Sequence, residues 1–379
     1  MTRDYLSVYF SYIGKLQHIM KFLPVIIFAF LFLFSCQKKE LSKPVSKKAI
    51  SDSAVLDFKK KLITSQIDSV FSQYQFNGSI GIFKDSLEIY RKNNGFSDFE
   101  NQTKVDNSTV FSIASISKQF TAVLILLEME QGKLSLEDKA SKYIKEFQKK
   151  EYKNITIHQL LNHSSGLNNF GEKLIFKSGS GFNYSNDGFN ALGKIVEEVS
   201  GKSFDINMLD LFKKVGMKNS STGSSFQGGN FAQTYVGNSK SQKMVDGMPI
   251  RLGNREIGIP AGGVLSTVDD LHTWNNALYS GKIIKAETLK KFLAKSTERQ
   301  HPVLGKMGYG LGIMSDGKPV SYFHSGYVKG APSLNIYYPE TKTSVIILSN
   351  IADEEKGKSA AFSPHLKTKE ISDILENIN

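Results

Sequence analysis

Strand-forming residues gather near both ends of this chain, and neither group can bury its faces alone. GSIGIFKDSLEIYRKNNG (Gly78 to Gly95) alternates apolar and polar residues and turns at Lys84-Asp85, the pattern of a hairpin. Far downstream, YFHSG, PSLNIYYPE and TSVIILSN read as three more strands. Between them the pattern is mainly helical from Leu134 to about Lys218, then irregular and rich in Gly, Ser and Asn over 219–260. Ser266 to Leu278 opens with a Ser/Thr pair and Asp-Asp, a helix start, and Ala286 to Ala294 predicts another helix. Ala54 to Phe76 carries helical spacing at Val55, Phe58, Leu62, Ile67, Val70 and Phe71, and a last helix is predicted from Lys367 to Asn377. The economical solution is one sheet built from both ends of the chain, with a helical lobe at about 134–260 inserted between them. That is an α/β architecture. No internal repeat is present.

The N-terminus carries a separate message. KFLPVIIFAFLFLFSC (Lys21 to Cys36) has a charged start, an apolar run from Phe22 to Phe34, and then Ser35-Cys36. The run falls short of the roughly 20 residues that span a bilayer, but it suits a secretory signal over residues 1–35. Cys36 is the single cysteine of the chain, and the polar QKKELSKPVSKK follows it. This arrangement resembles a bacterial lipoprotein signal, in which the cysteine is lipidated after cleavage. Residues 36–53 would then be a tether, and 54–379 the folded domain. Met20-Lys21 would itself open a normal signal, which makes residues 1–19 a candidate untranslated extension. The expected location is the bacterial envelope. The formal charge of +12 comes from lysines spread along the chain, without the long basic run that nucleic acid would require. An acidic cell-wall polymer or an anionic membrane fits better.

The chemistry begins at FSIASISKQFTAVLILLEMEQG (Phe111 to Gly132). Its first half is small and polar, its second half is apolar, and Gly132 is placed to cap the helix. Ser115 and Lys118 stand three apart at the helix start, so they share a face. A lysine desolvated at the edge of a core loses basicity and can take the proton of a serine nucleophile. The other Ser-x-x-Lys, Ser315 and Lys318 in SDGKP, sits in a turn with no helix to fix it.

Two further clusters matter. Tyr184-Ser185-Asn186 lies in a polar turn just before an amphipathic helix. A tyrosine beside an ammonium can act as a base, and an asparagine amide can grip a substrate amide. The other cluster is His324-Ser325-Gly326-Tyr327 on a predicted edge strand, where a substrate backbone could lie alongside and the glycine would leave it room. Taken singly, each has a bland alternative: a packed turn aromatic, or a strand histidine with a structural role. His158 and His163 are spaced wrongly for a helical zinc pair and read as structural.

The ordered set Ser115-x-x-Lys118, Tyr184-x-Asn186 and His324-Ser325-Gly326 resembles the serine β-lactamase and penicillin-recognising enzymes, in the class C-like branch with DD-peptidases, D-aminopeptidases and esterases. ITIHQLLNHSSGL, LFKKVGMKNSSTG, PAGGVLSTVDDLHTW and MGYGLGIM resemble that family's framework, over roughly residues 60 to 350. The resemblance implies a β-lactamase/DD-peptidase-like fold, a mostly antiparallel sheet flanked by helices. It implies Ser115 as nucleophile and Lys118 and Tyr184 as proton carriers. Asn186, His324, Ser325 and Gly326 would bind substrate, and the N–H groups of Ser115 and Tyr327 would form the oxyanion hole. No metal or cofactor is expected. The chain departs from class C β-lactamases at the third motif, where histidine replaces lysine and would hold a carboxylate less strongly. The expected activity is therefore a serine peptidase on D-amino-acid or cell-wall peptides, or an esterase. A true β-lactamase and a non-catalytic envelope protein that binds peptidoglycan are the alternatives.

Overall fold

The computed structural model describes residues 47–253 and 257–377. The signal-like segment, Cys36 and most of the expected tether lie outside the described residues. The chain divides after Leu56 into two units. Of the first, only the start of helix α1 (Lys47–Tyr74) is described, so residues 47–53 of the expected tether are helical. The second unit carries the fold.

Both ends of the chain do meet in one sheet. Its strands are β1 (Gly78–Lys84), β2 (Leu87–Asn94), β3 (Thr297–His301), β4 (Gly305–Tyr309), β5 (Met314–Gly317), β6 (Val320–Val328), β7 (Ala331–Tyr338) and β8 (Thr343–Ser349). The order across the sheet is β3-β4-β5-β6-β7-β8-β1-β2. Every pairing is antiparallel, and β1 pairs with β8 from Gly78 opposite Ser349 to Lys84 opposite Thr343.

The sheet buries both faces. On one lie Ile67, Val70 and Phe71 of α1 and Leu375 of α7 (Ser363–Glu376), packed on Ile80, Ile82, Ile336 and Ile347. The expected stripe on α1 is used from Leu62 onward, while Val55 and Phe58 at its front are exposed. Helix α7 also starts earlier than the sequence predicts, with Pro364 in its first turn, where a missing N–H costs nothing. On the other face, α2 (Ser117–Glu130) and α5 (Val268–Tyr279) pack with Phe83, Ile346 and Leu348. Helix α6 (Ala286–Leu293) lies on the same side.

The inserted lobe contributes α3 (Asn186–Ser200) and α4 (Phe204–Val215), each opened by a serine side chain that accepts a main-chain N–H. The irregular region after α4 holds three short strands, Ser221–Thr222, Tyr235–Asn238 and Ser241–Met244.

Helix α2 is buried almost all round, which suits its uninterrupted apolar run. Its end is stapled by Gly132 at φ 73°: Gly132 N–H donates to Met129 O and Lys133 N–H to Glu128 O. A buried asparagine pair ties distant segments together. Asn77 Nδ2 donates to Asn350 Oδ1 at 2.5 Å, and Asn350 Nδ2 donates to Gln233 O at 2.8 Å. Asn77 also brackets Phe96, accepting its N–H and donating to its carbonyl at 2.8 Å each. Replacing Asn350 with Ala orphans several of these buried groups. Unfolding in urea should show a loss of about 2–3 kcal/mol, with serine labelling by a fluorophosphonate retained in the folded protein.

Candidate active site

The nucleophile turn is fixed before α2 begins. Ala114 sits at φ 48°, a left-handed conformation that a residue with a Cβ adopts only when its surroundings force it. Ser117 Oγ donates to Ala114 O at 2.6 Å and accepts Val264 N–H at 3.0 Å. From the sheet side, Ser333 Oγ donates to Ile113 O at 2.9 Å. Ser115, next in line, is the partly exposed residue of this turn.

Lys118 is not on the rim of the core as its position in the sequence suggests; it is completely buried. Its Nζ donates to Ser115 Oγ at 3.2 Å, to Asn186 Oδ1 at 2.8 Å and to Ala261 O at 2.6 Å. All three acceptors are uncharged. Burial pulls the amine below its ordinary pKa, and the neighbouring Tyr184 opposes this in part. Asn186 is the first residue of α3, and its amide oxygen faces Lys118, which leaves the amide N–H groups for a ligand.

Tyr184 is half-buried, and Lys118 Nζ lies 4.7 Å from its ring centroid. A second cation faces the same ring: the Arg299 guanidinium carbon is 4.2 Å from the centroid. Burial alone would push the phenol up. The Lys118 and Arg299 charges, with hydrogen bonding from Lys118 and Ser115, outweigh it and bring the phenol below the ordinary tyrosine value. Arg299 lies on β3, in TERQH, and was invisible to motif reading. It donates to Met314 Sδ at 3.5 Å. A thioether is a weak acceptor, so the guanidinium retains capacity for an anion.

The third motif is arranged differently from the expectation. β6 is an interior strand, but its pairing with β5 ends at Met314 opposite Phe323. The segment His324–Val328 continues against β7 alone and so presents one open edge. His324 does not reach into the cleft. It is fully buried, its Nδ1–H donates to Ser325 O at 2.7 Å, and its Nε2 accepts the Tyr309 hydroxyl at 3.1 Å. With both nitrogens occupied the ring is locked neutral, and burial followed by the Arg299 and Lys118 charges drives its pKa well below the usual histidine range.

Gly326 has a different use from the one predicted. A Cβ there would stand 2.2 Å from Ile113 O and 2.4 Å from Ser333 Oγ. The missing side chain makes room for the nucleophile turn, with Ala114 Cβ the next atom such a side chain would meet, at 3.0 Å. Ser325 Oγ is 3.1 Å from His301 Nε2. His301 Nδ1 accepts the N–H groups of Val303 and Leu304, at 3.1 and 3.0 Å, so Nε2 carries the proton. Ser325 therefore accepts from His301 and keeps its own hydroxyl proton to give.

A model of the Beta-lactamase family matches residues 66–366. This chain belongs to the beta-lactamase family. Members of that family are serine hydrolases. Penicillin-binding protein 4* of Bacillus subtilis (strain 168) is 26% identical over 341 residues, covering 80% of this chain and 74% of the relative. Among solved structures, the octameric penicillin-binding protein homologue from Pyrococcus abyssi superposes with a TM-score of 0.71 at 24% identity, covering 83% of this chain and 77% of that one. The D-amino acid amidase from Ochrobactrum anthropi SV3 superposes with a TM-score of 0.69 at 20% identity, over 83% of this chain and 99% of that one. These two likenesses are of fold.

The electrostatics of Tyr184 give a direct test. Replacing Arg299 with Gln removes one of the two cations that favour the phenolate, so the phenol should titrate at higher pH than in the wild type. Carbon NMR of labelled tyrosine, with the Tyr184 signal assigned by its loss in Tyr184→Phe, reads the midpoint. An unchanged midpoint would mean that Arg299 does not act on this ring.

Proposed function

We propose that this protein is a peptidase that cleaves D-amino-acid peptides bearing a free carboxylate, through an acyl-enzyme on Ser115. The observation that carries the reading is the completely buried Lys118, held by uncharged acceptors and donating to Ser115 Oγ. A lysine placed so is poised to trade protons, whereas a purely structural cation would be paired with a carboxylate.

In the first half-reaction Ser115 Oγ attacks the scissile carbonyl carbon, and its proton passes to the Tyr184–Lys118 pair. The oxygen that gains charge is met by the main-chain N–H groups of Ser115 and Tyr327; one such donor contributes about 10²–10³ in rate. Proton return from the pair to the leaving nitrogen breaks the C–N bond and frees the amine. Water, deprotonated by the same pair, then attacks the ester carbonyl and releases Ser115. Asn186 N–H groups orient the substrate carbonyl.

The carboxylate preference rests on Arg299 and Ser325. The neutral, enclosed His324 cannot offer the cation that a lysine in the third motif would give. Arg299 supplies one from β3, and Ser325 has a proton to add. The penicillin-binding relative in Bacillus subtilis and the D-amino acid amidase of similar fold lie in the same chemical territory. An esterase reading is favoured if neutral esters turn over as well as charged peptides. We further propose export to the cell envelope with Cys36 lipidated; Cys36→Ala would then move the protein from membrane to soluble fractions.

A fluorescent penicillin or fluorophosphonate should label wild type and not Ser115→Ala, whose turnover should fall by about 10³-fold or more. Labelling of neither protein would favour a non-catalytic envelope binder. A panel of D-alanyl peptides, p-nitrophenyl esters and nitrocefin ranks the substrates. Arg299→Gln should raise KM about 10–100-fold for peptides with a free carboxylate, the worth of a charge-assisted pair, and leave the KM of amidated peptides nearly unchanged, while any loss of kcat through the Tyr184 phenol is common to both. Equal rises in KM for both would remove Arg299 from carboxylate recognition.

A further inference from the structure

Tyr184 is held in place by a residue that none of the three motifs contains. His163 follows the short helix Ile157–Leu161 and adopts φ 60°, a left-handed conformation costly for most residues with a side chain. In that conformation its main chain and its ring serve one neighbour. The His163 carbonyl accepts Asn183 N–H at 2.8 Å, and its Nδ1 accepts Ser185 N–H at 3.2 Å. The residues on either side of Tyr184 are thus tied to a single histidine. The imidazole also lies against the Tyr184 ring with centroids 4.4 Å apart, and Phe189 and Tyr309 back it at 5.0 Å each.

The state of the ring is fixed. Nδ1 accepts a main-chain N–H, so the proton sits on Nε2. Burial, with the charges of Lys118 and Arg299, holds the imidazole neutral. His163 is fully enclosed and cannot touch substrate. Beyond the two hydrogen bonds to the turn, the ring contact adds a constraint on where the phenol stands.

We propose that His163 is a positioning residue for Tyr184, holding the phenol at the distance from Ser115 and Lys118 that proton transfer requires. This rests on the reading of Tyr184 as a proton carrier. The charged and titratable groups facing Tyr184 are Lys118, Arg299, His324 and Tyr309, besides His163 itself. A phenol that drifts from the two cations titrates closer to the ordinary value of about 10. A misplacement of about 1 Å costs on the order of 10²-fold in rate.

Three variants separate positioning from stability. His163→Leu keeps bulk and loses the acceptor. His163→Gly accepts the left-handed backbone freely and loses ring and acceptor. His163→Asn offers an amide oxygen near the site of Nδ1 and tolerates that backbone. We expect Leu and Gly to lower kcat about 10²-fold with little change in KM, and to raise the Tyr184 midpoint in carbon NMR. Asn should recover at least about tenfold of the lost kcat. A folded Gly variant with wild-type kcat and wild-type midpoint overturns the proposal, whether or not Leu folds; so does an Asn variant no better than Gly. Turnover that survived Ser115→Ala would instead overturn the catalytic reading, and the Tyr184 midpoint, which needs no turnover, would still decide the role of His163.

Discussion

One buried ammonium organises this molecule. Lys118 stands inside a helix with almost no exposed face, and its partners are a hydroxyl, an amide oxygen and a peptide carbonyl. Taking a cation out of water without a carboxylate costs several kcal/mol, so the amine becomes easier to deprotonate. The partners come from three separate stretches: the turn before α2, the first residue of α3, and the turn Ile259–Gly262. A chain that failed to bring these together would leave the charge unsolvated. The fold and the reactivity therefore rest on the same contact.

Around that amine, the charge of each group follows from what surrounds it. Tyr184 lies between two cations and is drawn toward phenolate. Tyr309, completely buried beside Tyr184, is pushed well above the ordinary value by burial. His163, His301 and His324 each use a ring nitrogen as an acceptor, for Ser185 N–H, for two loop N–H groups and for the Tyr309 hydroxyl. His163 and His324 thus serve as rigid neutral brackets near the cleft, and the cations over the Tyr184 ring are Lys118 and Arg299. The division is physical: a histidine whose nitrogens are engaged by fixed donors cannot take up a proton without breaking a hydrogen bond.

Much of this was legible in the sequence, and the reasons are local. The hairpin at Gly78 to Gly95, the three C-terminal strands and the helices opened by Thr267 and Ser185 follow from alternation and capping, which neighbours in sequence decide. Ser115 and Lys118 could be paired because one helical turn separates them. The failures are equally instructive. Val55 and Phe58 have the spacing of a buried stripe and are exposed, because periodicity says which residues share a face and not whether anything covers it. The motif places His324 against substrate, yet its ring is fully buried between the Tyr309 hydroxyl and the Ser325 carbonyl. Arg299 carries no sequence signal, since its importance lies in the ring it faces.

The sequence by itself determined the elements, the order of the motifs and the membership of a serine hydrolase family, because each is written in short-range pattern. The tertiary structure decided what those residues are chemically. It set the depth of Lys118, the second cation over Tyr184, the neutral locked state of His324 and the close approach that Gly326 permits. Those properties depend on distance through space and on exclusion of water, and neither is encoded in the spacing of residues along a chain.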